Sequence, residues 1–159
     1  MIKFPNAKIN LGLNIVNRRP DGYHDIETVF YPIALTDIVE IVKAKGELST
    51  LTTSGRPVDC PVEKNLVMKA YRSLEKEFNL PPVDIYLRNH LPDGAGLGGG
   101  SSDATAVIVA INALYNLNLS EQELIDAAAA IGSDTAFFVR NTPQLCSGRG
   151  EIMEPIDLP

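Results

Sequence analysis

Cysteine is scarce in this 159-residue chain: Cys60 and Cys146 stand far apart, and neither belongs to a metal-type cluster. Two such residues do not build a disulfide-stapled domain, so both are expected as reduced thiols of a cytoplasmic protein. Long apolar runs are missing as well. Residues 1–15 hold no basic-then-apolar leader, and no stretch is long enough to span a bilayer as a helix, so neither a signal peptide nor a membrane segment is expected. An excess of positive charge is also absent: 14 Lys and Arg face 20 Asp and Glu, a formal net charge of −6. That balance argues against a broad nucleic-acid or acidic-membrane surface. Internal repeats and low-complexity tracts do not occur. What remains is an ordinary globular composition, 45% hydrophobic and 21% charged, long enough for one domain with a real core.

Glycine, by contrast, is concentrated. Residues 91–105 read LPDGAGLGGGSSDAT and place Gly94, Gly96, Gly98, Gly99 and Gly100 in a single short stretch. Glycine permits positive φ and close backbone approach to a ligand. An apolar helical pattern follows, and Ser101, Ser102 and Asp103 are residue types that favour a helix start. A helix beginning there offers free N–H groups and the positive end of its dipole, which together make an anion cradle, with phosphate the usual anion. Gly94, Gly96 and Gly99 satisfy a dinucleotide-type G-x-G-x-x-G, but the preceding run alternates Val83, Ile85 and Leu87 with Asp84, Tyr86 and Arg88. That reads as a strand with one wet face rather than a buried parallel strand. No Gly-Lys-Ser/Thr closes a Walker loop.

In chain order, Ile9, Leu11, Leu13 and Ile15 alternate with polar residues as a half-buried strand, and Arg18-Arg19-Pro20-Asp21-Gly22 is turn chemistry. Strands are expected over residues 26–35, 37–43 and 47–53, with a break at Ser54-Gly55-Arg56-Pro57. Asn65 reads as the cap of a helix carrying Val67, Ala70, Tyr71, Leu74 and Phe78, which Pro81 and Pro82 end. After the glycine loop, Ala104, Val107, Ile108, Ile111 and Leu114 form one helical stripe. Ser120 with Glu123 is a capping box for a further helix ending at Gly132. Ser133-Asp134-Thr135 opens a short segment with a buried Ala136-Phe137-Phe138-Val139, and residues 146–151 read as a second small glycine turn. A strand-rich first half and a helix-rich second half predict an α+β domain with a mixed or largely antiparallel sheet.

Locally, each chemical candidate has a structural alternative. Lys8, at the strand mouth, could be a solvated surface lysine. Asp134 could cap a helix, or be held rigidly before two phenylalanines as a general base needs. His24 reads as a turn or core histidine and Asn65 as a cap. From the residues alone the chain is a phosphate- or nucleotide-binding α+β protein.

Three separated stretches, however, resemble the GHMP small-molecule kinases: Phe4-Pro5-Asn6-Ala7-Lys8-Ile9-Asn10-Leu11, the loop from Leu91 to Ala104, and Gly132-Ser133-Asp134-Thr135-Ala136-Phe137-Phe138. The order and spacing match across essentially the whole chain. The resemblance implies the N-terminal lobe of such a kinase over residues 1–159, related in topology to a ribosomal-protein domain, with helices on one side of the sheet and the family's second lobe not included. It implies ATP with Mg²⁺, and an ATP-binding segment Pro92-Asp93-Gly94-Ala95-Gly96-Leu97-Gly98-Gly99-Gly100-Ser101-Ser102, with Asn65 near the adenosine. It further implies Asp134 as the base that deprotonates an alcohol, and Lys8 as its partner. Arg19-Pro20-Asp21-Gly22-Tyr23-His24 resembles the branch of the family whose acceptor is a small cytidyl alcohol phosphorylated on a tertiary hydroxyl in isoprenoid precursor synthesis. Tyr23, His24 and Asn10 are then the substrate-binding candidates. Other branches act on mevalonate, homoserine or sugars. Thr135-Ala136 stands where Val-Pro is more usual. A nucleic-acid module of the ribosomal-like fold has no need of a phosphate loop.

Overall fold

A computed structural model describes residues 1–148 and 152–159. The strands are β1 (Ile2–Lys3), β2 (Asn6–Arg18), β3 (His24–Thr36), β4 (Ile38–Lys43), β5 (Thr50–Gly55), β6 (Val83–Asn89), β7 (Gln144–Gly148) and β8 (Ile152–Pro155). The helices are α1 (Leu66–Phe78), α2 (Gly99–Leu114), α3 (Glu121–Ala129) and the single-turn α4 (Phe137–Arg140). They form two four-stranded sheets, ordered β1-β4-β6-β5 and β2-β3-β7-β8. Only β5 and β6 run parallel among the described pairs; the rest are antiparallel. The architecture is therefore the expected α+β arrangement, but with two sheets in place of the one predicted, the first mixed and the second antiparallel.

The first sheet has one dry face. On β6, Val83, Ile85 and Leu87 are buried while Tyr86 and Arg88 are exposed, the alternation that the pleat requires. The dry face meets Val39 and Ile41 of β4, Val67, Met68, Ala70, Tyr71 and Leu74 of α1, and Ala104, Val107, Ile108 and Ile111 of α2 in one core. Truncating a fully buried member such as Ile108 to Ala costs about 2–5 kcal/mol, since a close-packed core cannot collapse onto the void. A smaller cluster of Phe30, Phe137, Phe138 and Cys146 sits under β3 and β7, its rings edge-to-face at 5.4 and 5.0 Å.

The helix ends follow local chemistry. The Asn65 side chain accepts a hydrogen bond from the Val67 N–H at 2.9 Å, and Ser120 accepts from Glu123 N–H at 3.1 Å, as their cap signatures predict. Asn79 closes α1 in the left-handed region, φ 53°. Several boundaries differ from expectation. The strand expected over residues 47–53 runs Thr50–Gly55, because Gly55 adopts φ +81° beside the Asn89 carbonyl, where no Cβ fits. The third helix stops at Ala129 rather than Gly132. Residues 146–148 end strand β7 instead of opening a glycine turn; the rest of that expected turn, residues 149–151, lies outside the described residues.

The half-buried expectation for β2 holds only at its base. Ala7 and Lys8 are buried, but Leu11, Leu13, Ile15 and Val16 are 43, 53, 66 and 61% exposed. The β2–β3 hairpin projects past the edge of the packed helices, so nothing described covers that half. Register shifts fall between Leu11 and Asn14 and between Ile15 and Asn17, and such irregularities bend a ribbon.

Candidate functional site

The glycine loop runs from the end of β6 into α2. Gly94, Gly96 and Gly98 have φ of +68, +75 and +69°, so three turns of the loop need glycine. Gly98 is the N-cap of α2. The helix therefore begins inside the glycine run, and Ser101 to Asp103 lie within its first turns rather than before it, a correction to the predicted start. The first intrahelical bond runs from the Ser102 N–H to the Gly98 carbonyl at 2.8 Å, which leaves the preceding N–H groups of Gly99, Gly100 and Ser101 without intrahelical partners. These groups line one wall of a cavity of about 340 Å³ that also takes in residues 92–98, Asn65 and Asn89. Asn65 thus both caps α1 and faces the cavity. Ser102 does not line it; that side chain is 3% exposed and borders a second cavity of about 240 Å³ on another side of α2.

Lys8 is no surface lysine. It is 4% exposed, and its ammonium donates to Asn10 Oδ1 at 2.7 Å and to the Gly96 carbonyl at 3.0 Å. Asp134 Oδ2 lies 3.7 Å from Nζ, and the Phe30 ring centroid lies 4.5 Å away. An ammonium has three N–H donors; Asn10 and the loop take two, and the third has Asp134 as its ionic neighbour. The Lys8 backbone N–H also donates to the Leu97 carbonyl at 2.9 Å. β2 and the glycine loop are thus laced together at Lys8. Asp134 is about one-third exposed, and α4 has no side-chain cap. Its carboxylate is available at the surface rather than spent on a helix end, so the capping alternative fails.

The structure also places residues that local patterns did not single out. Thr105, buried on α2, sits with Oγ1 2.8 Å from the Thr135 carbonyl and 2.9 Å from the Ser101 carbonyl, which fixes the Asp134 segment against the loop helix. Asn89, at the end of β6, is among the residues lining the cavity, and its buried Nδ2 has no partner among the described residues. Asp37 and Asp103 form part of the same cavity. Burial and the neighbouring Asp37 carboxyl push the Asp103 carboxyl up to about 9, so at neutral pH it holds its proton. For Thr105, Asn89 and Asp37 the only sequence signal was a polar residue at an otherwise apolar position, whereas Asp103 read as a helix-start residue and is instead buried within α2.

Gly98 has a different constraint from the one its place in a phosphate loop implies. A Cβ there would lie 2.9 Å from the Phe138 ring and 3.3 Å from Lys8 Cε, so this glycine makes room for protein. The open flank belongs to Gly94 and Gly96, where a Cβ meets nothing within 4 Å.

Tyr23 and His24 lie apart from this assembly. His24 pairs with Arg18 across the hairpin, whereas Lys8 pairs with Pro32. The separation along β2 is ten residues, about 30 Å of extended strand before bending. They are close to Lys8 neither in sequence nor in register. Their tip is well built: Gly22 takes φ +88°, the Tyr23 N–H donates to Asp21 Oδ1 at 3.0 Å, and Arg19 bridges Asp21 and Asp25 at 3.1 and 3.2 Å.

Residues 65–142 match the family model of the GHMP kinases N terminal domain. The chain is 53% identical over 160 residues to the 4-diphosphocytidyl-2-C-methyl-D-erythritol kinase of Bacteroides fragilis, covering 99% of this chain and 58% of that protein. It is 55% identical over 158 residues to the protein of the same name from Azobacteroides pseudotrichonymphae, again with 99% and 58% covered. The chain thus spans little more than half the length of the curated relatives it matches. A crystal structure of 4-(cytidine 5'-diphospho)-2C-methyl-D-erythritol kinase superposes with a TM-score of 0.83 at 36% identity, over 100% of this chain and 56% of that one. Mevalonate kinase of Methanococcus jannaschii superposes with a TM-score of 0.74 at 17% identity, over 99% and 56%, which speaks to fold alone. The chain belongs to the GHMP kinases and carries their N-terminal domain.

Proposed function

We propose that this chain is the ATP-binding lobe of a kinase that transfers the γ-phosphoryl group of ATP to the 2-hydroxyl of 4-diphosphocytidyl-2-C-methyl-D-erythritol, in non-mevalonate isoprenoid precursor synthesis. The observation that carries the reading is the Lys8–Asp134 pair at 3.7 Å, joined through Lys8 to Gly96 of the glycine loop, in a chain about half identical to proteins named for that substrate.

Phosphoryl transfer asks a protein for position and charge stabilisation more than for covalent chemistry. The N–H groups of Gly99, Gly100 and Ser101 and the positive end of α2 hold the phosphates. Pro92 through Ser101 and Asn65 form the nucleotide site. Asp134 accepts the hydroxyl proton as the oxygen forms its bond to phosphorus and the bond to the ADP oxygen breaks. The proton then passes from Asp134 to water. Lys8 holds Asp134 in place and offsets charge on the transferring group. A Mg²⁺ ion carried on the ATP phosphates would neutralise their charge beside the glycine loop.

Tyr23 and His24 on the hairpin tip recognise the cytosine, and Asn10, already bonded to Lys8, lies on the path of the acceptor. In this reading the acceptor extends from Lys8 along the hairpin to its tip. The longer curated relatives support a second lobe that completes the acceptor site. Partners are small molecules rather than nucleic acid or membrane: the net charge is −6, and no helix among the described residues is long and apolar enough to cross a bilayer. A cytoplasmic location follows for a soluble biosynthetic enzyme. Transfer from labelled ATP by the full-length protein, offered the cytidyl alcohol, mevalonate, homoserine and galactose in parallel, tests the assignment. Transfer to the cytidyl alcohol alone supports it, and transfer to one of the others instead overturns it.

A further inference from the structure

Beneath the glycine loop, two carboxyl groups face each other out of solvent. Asp37, in the one-residue link between β3 and β4, is 1% exposed, and Asp103, in the second turn of α2, is 2% exposed. Asp37 Oδ1 accepts the backbone N–H groups of His90 at 2.7 Å and Leu91 at 2.9 Å, where the chain leaves β6 to begin the loop. The Asp103 carboxyl interacts with Asp37, while its Oδ1 has no hydrogen-bond partner among the described residues. Two carboxylates accept and cannot donate to one another, so a bond between them requires a proton. The remaining titratable or charged groups around the same cavity are Arg56, Cys60, Lys64 and Asp93, and of all these charges Asp37 is the one that acts on Asp103.

We propose that Asp37 and Asp103 are positioning residues, a clasp closed by one proton that ties the start of the glycine loop to the helix at its end and couples nucleotide binding to that proton. This rests on the nucleotide reading of the loop. Asp37 grips residues 90 and 91 directly, and Asp103 stands on the helix whose first N–H groups face the cavity. With the proton in place, both ends of the loop hang from one hydrogen-bonded pair. Without it, two buried negative charges adjoin the place where a polyphosphate sits. The phosphates then weaken the loop's grip and are themselves repelled. Linkage makes the effect reciprocal: if bound nucleotide raises the pair's hold on its proton by some factor, the proton raises nucleotide affinity by the same factor.

The test is equilibrium ATP binding by the full-length protein at pH 7 and pH 9.5, in the wild type and in Asp103→Asn. The asparagine amide still donates to Asp37 and does not titrate. In the wild type the ATP Kd is expected to rise about fourfold between the two pH values, the most that one carboxyl titrating near pH 9 can give. In Asp103→Asn the ratio is expected to stay within about twofold. Cys60 and Lys64 are present in both proteins, so the difference between them belongs to Asp103. Equal weakening in both, or none in either, overturns the clasp. Absence of ATP binding at pH 7 in the wild type overturns the nucleotide reading and the clasp with it. Infrared spectroscopy of the wild type gives a readout that needs no variant: a protonated-carboxyl C=O band that is present at pH 7 and lost at alkaline pH. Its absence at pH 7 equally contradicts the proposal.

Discussion

Lys8 carries more structure than its charge alone requires. A lysine 4% exposed stays charged in the interior only when its donors are satisfied, and Asn10, Gly96 and Asp134 do this together. With Asp134 as the proposed base, Asp134→Asn is expected to lower kcat by about 10²-fold or more while leaving both Michaelis constants little changed. Adding Lys8→Ala to that variant should cost far less than the two single losses combined, because the groups act as a unit; steady-state kinetics on the full-length protein decides this. Gly98→Val drives a branched side chain into Phe138 and Lys8, so it should lower stability by about 1–3 kcal/mol through overpacking, read as a fall in the denaturation midpoint. An unchanged midpoint contradicts the packing argument. Asp103 makes stability depend on pH. Its folded value is raised to about 9 from 3.8, so between those pH values the folded protein holds a proton that the unfolded chain has released. Stability is then fully present below about pH 3.8 and falls as pH rises towards about 9. Asp103→Asn should remove that decline, and denaturant midpoints across the range would reveal it.

At the scale of elements, what could be read in advance was what neighbours in sequence decide. The alternation of β6, the Asn65 and Ser120 caps and the stripe of α2 are all set within a few residues, and each stands where its local chemistry puts it. Gly98 as the N-cap of α2 was not visible, since a glycine with positive φ starts this helix in place of a Ser or Asp side chain. Nor was the packing of the hairpin visible: alternation in β2 looks half-buried whether or not anything covers it. Pairings across more than fifty residues, Asp37 with Leu91 and Lys8 with Asp134, leave no periodic trace at all. Two predictions belong to these elements. Cys60, in the segment between β5 and α1, lines the loop cavity, whereas the buried Cys146 thiol is pushed up to about 11 and remains unreactive. A thiol reagent at pH 8 should therefore modify Cys60 alone, and saturating ATP should slow that reaction; equal rates with and without nucleotide would place ATP elsewhere. At the hairpin tip, Tyr23→Ala should weaken the cytidyl substrate by about 1–3 kcal/mol, the usual worth of base stacking on an aromatic ring, and leave ATP affinity untouched. Isothermal titration of each ligand separates the two effects.

The whole molecule divides its labour between a covered sheet and an open one. The first sheet, with α1 and α2, is a rigid platform that aims the loop. The second carries Lys8 at its base and the projecting hairpin with Leu13, Ile15 and Val16 exposed. The proposed function puts phosphate binding on the platform and acceptor choice on the hairpin, so the two should be separable by mutation. The central claim is that these parts together make a kinase selective for a cytidyl alcohol. It is tested most directly by comparing kcat/KM of the full-length protein for 4-diphosphocytidyl-2-C-methyl-D-erythritol and for methylerythritol phosphate, which lacks the cytidine. A strong preference for the cytidyl substrate, lost in Tyr23→Ala and with turnover abolished in Asp134→Asn, is the predicted result. Equal efficiency with both acceptors, or turnover that survives Asp134→Asn, would contradict it.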